Sequence, residues 1–179
     1  MTSIQSNIEV ISNNARRLHD DSVLLCANGR MLSSIILAVF AIEELGKSLI
    51  YTWGIRNMAH NRTYPTHLEK QSATFCLLSA SEIVSLDPDV FKILLPSFTK
   101  AGPLSVQFAH ARVGFYDNLR LAATYLDQNP IFPAGAMNLI GEEFVHELHD
   151  YFRRADLIKG NKQAMEFASM VFEHDLGRM

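Results

Sequence analysis

The chain lacks most of the features that would assign a function at sight. Its two cysteines, Cys26 and Cys76, are too few for a disulfide framework, so a reducing, cytoplasmic setting is the expectation. There is no Walker A loop, no G-x-G-x-x-G after a strand, no G-x-S-x-G elbow and no C-x-x-C pair. The usual sequence signals for nucleotide, dinucleotide, hydrolase-elbow and thioredoxin-type chemistry are therefore missing, and no cofactor is expected. A basic excess is missing too. The net charge is −3, which gives no whole-chain electrostatic case for nucleic acid and leaves only a local basic patch open. The apolar run from Met31 to Ile42 falls well short of the roughly 20 residues a spanning helix needs. With no signal-peptide layout either, no membrane association is expected. Finally, no stretch alternates apolar and polar residues with period two, so strands are not expected.

What remains is helical. The chain has 179 residues, 48% of them hydrophobic and 20% charged, which suits one compact domain with a sizeable core. A first helix is predicted from about Ser3 to Ala27, with Asn28-Gly29 as its stop and a short turn into an antiparallel second helix. The second helix starts at Met31 and is expected to run towards Met58 or His60, with Gly54 weakening its last turns. Thr66-His67-Leu68-Glu69 fits a capping box that opens a third helix to roughly Ser85. Asp87-Pro88 signals a short helix ending near Pro96. Helices from about Leu104 to Leu126 (with Gly114 as an interruption), Ala136 to Leu157 and Lys162 to Glu173 complete the chain. No internal repeat or dividing linker is present. The expected architecture is a single-domain, all-α bundle of about six or seven helices spanning residues 1–179.

The most informative segment is Ala41-Ile42-Glu43-Glu44-Leu45-Gly46-Lys47-Ser48. It places charges in a helix that shows no polar stripe, and such a helix is normally central. Desolvated charges need partners. Glu43 and Lys47 are spaced i,i+4 in the favourable order for an intrahelical pair. Gly46 costs a helix up to about 1 kcal/mol relative to Ala, which implies a second backbone packed against it. His67 and Lys70 share one face of the third helix's first turn, where free amides favour a phosphate or a carboxylate such as Glu44. In the stretch His110 to Asn118, Arg112 and Tyr116 would share one face if the helix is continuous, and His110 and Asp117 another.

Glu143-Phe144-Val145-His146 has E-x-x-H spacing, but di-metal carboxylate bundles need two such motifs. The segment after Glu44 reads E-L-G-K where the second would require histidine. His146, His149 and Asp150 could still hold one divalent ion, although an exposed helix face is the simpler reading, and no metal site is assigned.

With these residues collected, the chain resembles the AbiV family of bacterial abortive-infection proteins. The resemblance rests on Asn14-Ala15-Arg16-Arg17-Leu18, Gly29-Arg30 and Ala41 to Lys47, on His67-x-x-Lys70, and on Arg112-Val113-Gly114-Phe115-Tyr116-Asp117. In the last block Asp117 follows Tyr116 directly, a departure from the family's aromatic-Tyr-x-Asp pattern. The resemblance implies a HEPN-like bundle, a homodimer and a role in phage defence; several HEPN relatives are metal-independent ribonucleases with an Arg, four to six residues, then a His. Arg62-Thr63-Tyr64-Pro65-Thr66-His67 meets that spacing, here in mid-chain rather than on a late helix.

Three readings follow. In the first, Arg62 and His67 are catalytic and cleave RNA, with a polar cluster of Glu43, Glu44, Lys47, Lys70, Arg112, Tyr116 and Asp117 around them. In the second, the cluster is structural and the protein acts by binding a phage or host protein; removal of Glu44 would then cost a few kcal/mol. In the third, the bundle is a metal-dependent enzyme.

Overall fold

A computed structural model describes residues 3–55, 64–85, 105–124 and 141–176. The described residues form helices joined by turns, with no strand among them. We number them α1 (Ser3–Ala27), α2 (Met31–Thr52), α3 (His67–Val84), α4 (Val106–Arg112), α5 (Phe115–Thr124), α6 (Glu142–Ile158) and α7 (Lys162–Leu176). The expected short helix after Asp87 and the start expected at Ala136 lie outside the described residues, as does Arg62.

Glycine sets three of the boundaries. Gly29 has φ +68°, and its amide bonds the Cys26 carbonyl while the Arg30 amide reaches back to Leu25, closing α1 with a Schellman motif. Gly54, φ +72°, repeats the arrangement at the end of α2, with Gly54 N on Tyr51 O and Ile55 N on Ile50 O. This corrects the expected run to Met58 or His60: Gly54 stops the helix instead of merely weakening it. Gly114, φ +79°, divides the expected Leu104–Leu126 helix into α4 and α5. Arg112 and Tyr116 therefore sit on different helices, and the shared-face expectations for the His110–Asn118 stretch do not hold. The start of α3 is as the sequence predicts: Thr66 Oγ1 accepts from the Glu69 amide, and Glu69 accepts from Thr66 N.

The second helix is central. It packs on α1, α3, α5 and α6, while α3 in turn packs on α4, α6 and α7. Ile35, Val39, Ile42, Leu45 and Leu49 on α2 are essentially inaccessible and belong to a core that takes residues from every described helix. Cys76 is a buried thiol, its Sγ 3.4 Å from the Ala168 carbonyl of α7.

The crossing of α2 and α3 is unusually tight. A Cβ built on Gly46 would lie 1.7 Å from the Lys70 carbonyl oxygen and 2.9 Å from Thr74 Oγ1. Only hydrogen fits there, which is why a helix-weakening residue sits in mid-helix. Thr74 Oγ1 donates to the Ile42 carbonyl at 2.8 Å and reinforces the same contact.

Candidate functional site

The capping box turns the first residues of α3 towards α2, and the Gly46 contact brings the two backbones together there. His67 and Gln71, one helical turn apart, consequently face the same side chain on α2. That side chain is Glu43, only 2% exposed. His67 Nδ1 donates to Glu43 Oε2 at 2.6 Å, and Gln71 Nε2 donates to Oε1 at 2.9 Å. Lys70 Nζ lies 3.5 Å from the same Oε2. A carboxylate is an acceptor only, so the His67 bond places the proton on Nδ1. In the neutral ring the lone pair is thereby left on the other nitrogen. Because the His67 side chain is 48% exposed while its partner is 2% exposed, the imidazole is gripped from below and open above.

Asp117 on α5 comes close to this pair: single ligand atoms of Glu43, His67 and Asp117 lie within 4.8 Å of one another. Such a trio could in principle hold a cation. Each carboxylate already has one, however, Lys70 on Glu43 and Arg120 on Asp117 at 2.6 Å, so the group is balanced as an ion-pair network. The guanidinium of Arg120 also lies over the Phe40 ring, 5.2 Å from its centroid.

The other residues singled out in the sequence are placed differently. Lys47 pairs with Glu44 at i,i+3, Nζ to Oε1 3.3 Å, and not with Glu43 as the i,i+4 spacing suggested. Asn14 Nδ2 of α1 donates to Glu44 Oε2 at 3.5 Å. Glu43 and Glu44, consecutive in sequence, thus serve different neighbours: α3 for the first, α1 and its own helix for the second. The carboxylate that docks on the start of α3 is that of Glu43; Glu44 was the expectation. Tyr116 is buried, its ring stacked on Phe75 with centroids 4.5 Å apart. Burial, and next the neighbouring Tyr151 and Glu147, push its phenol well above the ordinary range. Arg112 ends α4 and is half-buried. Gln71 and Arg120 are the additions that sequence reading missed. Their spacing was the available signal, Gln71 four residues after His67 and Arg120 three after Asp117.

A second polar junction lies on the opposite side of α2. Ser22 Oγ of α1 donates to the Ser34 carbonyl at 2.7 Å, and Ser34 Oγ returns a bond to the Ser22 carbonyl at 2.8 Å. Both hydroxyl protons are thereby used. His149 Nε2 of α6, 2.8 Å from Ser22 Oγ, must then be the donor. His149 is 3% exposed; its ring meets His19 edge-on, and His19 stacks on Phe152. Burial, then the nearby His19, His146 and Arg153, lower the His149 pKa to about 4. Asp150 faces Arg153 and Arg154. His146, His149 and Asp150 therefore face different neighbours, Glu142, Ser22 and the Arg153–Arg154 pair, and do not converge on one point.

Comparison with known proteins agrees with this architecture. No curated protein and no solved structure matches the chain. The HEPN-type family model described as AbiV matches residues 4–84, which takes in α1, α2, α3 and the whole Glu43–His67–Gln71 contact, and ends before Arg112 to Asp117. Over those residues, a little under half of the chain, the protein is similar to the AbiV family of HEPN-like helical proteins.

Proposed function

We propose that the protein is an abortive-infection effector whose toxicity comes from metal-independent cleavage of RNA at His67. The observation that carries this reading is the 2.6 Å bond from a half-exposed imidazole to a buried carboxylate. A carboxylate on Nδ1 fixes the tautomer and ring orientation, and it stabilises the imidazolium that forms when the outer nitrogen takes a proton. In the reaction, His67 Nε2 accepts the proton of a ribose 2′-hydroxyl. The 2′-oxygen bonds to phosphorus, the P–O5′ bond breaks, and the proton is returned to the leaving oxygen. Arg62 supplies positive charge at the phosphate, and a homodimer brings two such sites together.

Expression in bacteria challenged with phage tests this directly. His67→Ala is expected to abolish growth arrest and RNA cleavage, followed as total RNA integrity, at a temperature where circular dichroism shows the variant still folded, although its melting temperature falls because Glu43 loses one of its donors. An H67A protein that still arrests growth and degrades RNA would overturn the reading.

One observation favours a non-catalytic alternative, in which the protein binds a phage or host protein. His67, Lys70 and Gln71 all converge on Glu43, so the network also locks α3 onto α2. If locking is its whole purpose, H67A would leave RNA intact in both strains, and any loss of protection would track the loss of stability.

A further inference from the structure

Where the α1–α2 turn meets the start of α6, four side chains with metal-binding atoms converge, and they lie outside the site described above. Cys26 is in the last turn of α1, Met31 opens α2, and Glu142 and His146 occupy the first turns of α6, one above the other at i,i+4. Ligand atoms of Cys26, Glu142 and His146 all lie within 4.8 Å of one another. Met31 Sδ is 3.8 Å from the Cys26 sulfur.

We propose that this cluster binds one zinc ion through Cys26, Glu142 and His146, fastening the start of α6 to the α1–α2 turn. Zinc takes thiolate, imidazole and carboxylate in tetrahedral geometry, and three protein ligands with an open fourth position are a common arrangement. Bond lengths of about 2.0–2.1 Å to nitrogen and oxygen require those two atoms to be roughly 3.3 Å apart. Glu142 Oε1 and His146 Nε2 are 3.4 Å apart already. The sulfur needs an approach of at most about 1 Å, within reach of rotation of the exposed Glu142 and His146 side chains.

Charge separates this cluster from the Glu43–His67–Asp117 trio. There, a lysine and an arginine already balance the two carboxylates. Here, among the described residues, no lysine or arginine lies within ion-pair distance of Glu142, whose partner is His146. A soft sulfur ligand selects zinc over magnesium or calcium. The Cys26 side chain is nearly inaccessible while Glu142 and His146 face solvent, so the ion enters from the helix end and closes over the thiol.

Cobalt(II) is the probe, because a cobalt–thiolate bond adds a near-ultraviolet charge-transfer band. The metal-stripped full chain is expected to show that band at one cobalt per chain and to lose it when zinc is added. Zinc should also raise the melting temperature. Cys26→Ser should remove the band. Glu142→Gln and His146→Ala, on an exposed face where folding is undisturbed, should each weaken binding by roughly tenfold or more at unchanged helicity. They decide the matter if the cysteine variant does not fold. No charge-transfer band, a band kept by Cys26→Ser, or affinity unchanged in both α6 variants would overturn the proposal.

Discussion

The two polar junctions on α2 solve the same burial problem by different means. Towards α3, a carboxylate is taken out of water and surrounded by an imidazole, an ammonium and an amide. Towards α1 and α6, every group is neutral: two serine hydroxyls exchange bonds with each other's carbonyls and receive the His149 N–H. Ser34 and Glu43 are separated by about 13 Å along the helix axis, so the junctions are separate structures on one element. The charged junction is only as good as its weakest partner, because each lost donor leaves ionic desolvation uncompensated. The neutral junction stakes less on each member, provided that none acquires charge. Only the charged one turns a reactive nitrogen outward, and for that reason it is the candidate for chemistry while the other holds the bundle.

The sharpest way to break the contrast is to truncate the carboxylate. Glu43→Ala strands Lys70 and Gln71 beside a void and should cost about 3–5 kcal/mol, measured by denaturant unfolding. Glu43→Gln keeps the shape and should cost less. If both variants unfold at the wild-type midpoint, Glu43 is not desolvated and the contrast fails. Gly46→Ala comes next. Its methyl group would overlap the Lys70 carbonyl, so one helix must shift, at about 3 kcal/mol or more despite Ala's better helix propensity. Since the shift separates α2 from α3, this variant should also lose whatever activity His67 confers, a coupling that a remote destabilising substitution would not show.

Acid probes the neutral junction. His149 is held neutral, with its pKa lowered from 6.5 to about 4. The unfolded chain therefore takes up this proton first on acidification. Above pH 6.5 the histidine is neutral in both states and contributes no pH dependence. Between 6.5 and about 4 stability falls, by on the order of 2–3 kcal/mol, and below that the loss from this group levels off. His149→Gln removes the titrating group, and its melting temperature should decline less over that pH interval. An equally steep decline in the variant would place the acid sensitivity elsewhere.

Several of these features could be read before any coordinates. The α2 charges, the oddity of Gly46 and the Thr66–Glu69 capping box are local patterns with local causes: a missing polar stripe, a helix-weakening residue in mid-helix, and a three-residue cap spacing. Helix ends at Gly54 and Gly114 were harder, since a glycine in a helical pattern either is tolerated or takes positive φ, and tertiary packing chooses. Partner choice was hardest. Ser22 and Ser34 carry no signal of their interlock, because their partners are backbone carbonyls on another helix. Cys26 and Glu142 lie far apart in the chain and meet only through the packing of α6 on the α1–α2 pair. The E-x-x-H pattern drew attention to Glu143, whereas the residue facing His146 is Glu142, one full turn back.

The smallest expected effect is the one most useful for separating the two glutamates. Glu44 looked like the anchor because it sits in the same apolar helix and precedes a lysine. Yet its side chain is 20% exposed, against 2% for Glu43, and its partner Lys47 is 31% exposed. Water and salt screen a pair of that kind, so Glu44→Ala should cost less than about 1 kcal/mol, well below the few kcal/mol expected for a buried charge. Added salt should shrink the difference from wild type further. Measured beside Glu43→Ala in the same denaturation series, the pair of variants isolates direction alone: same residue type, same helix, adjacent positions, one turned towards α3 and one towards α1. Equal losses would mean that α2 is uniformly desolvated around its circumference, and the reason for preferring Glu43 as the orienting partner of His67 would disappear with the difference.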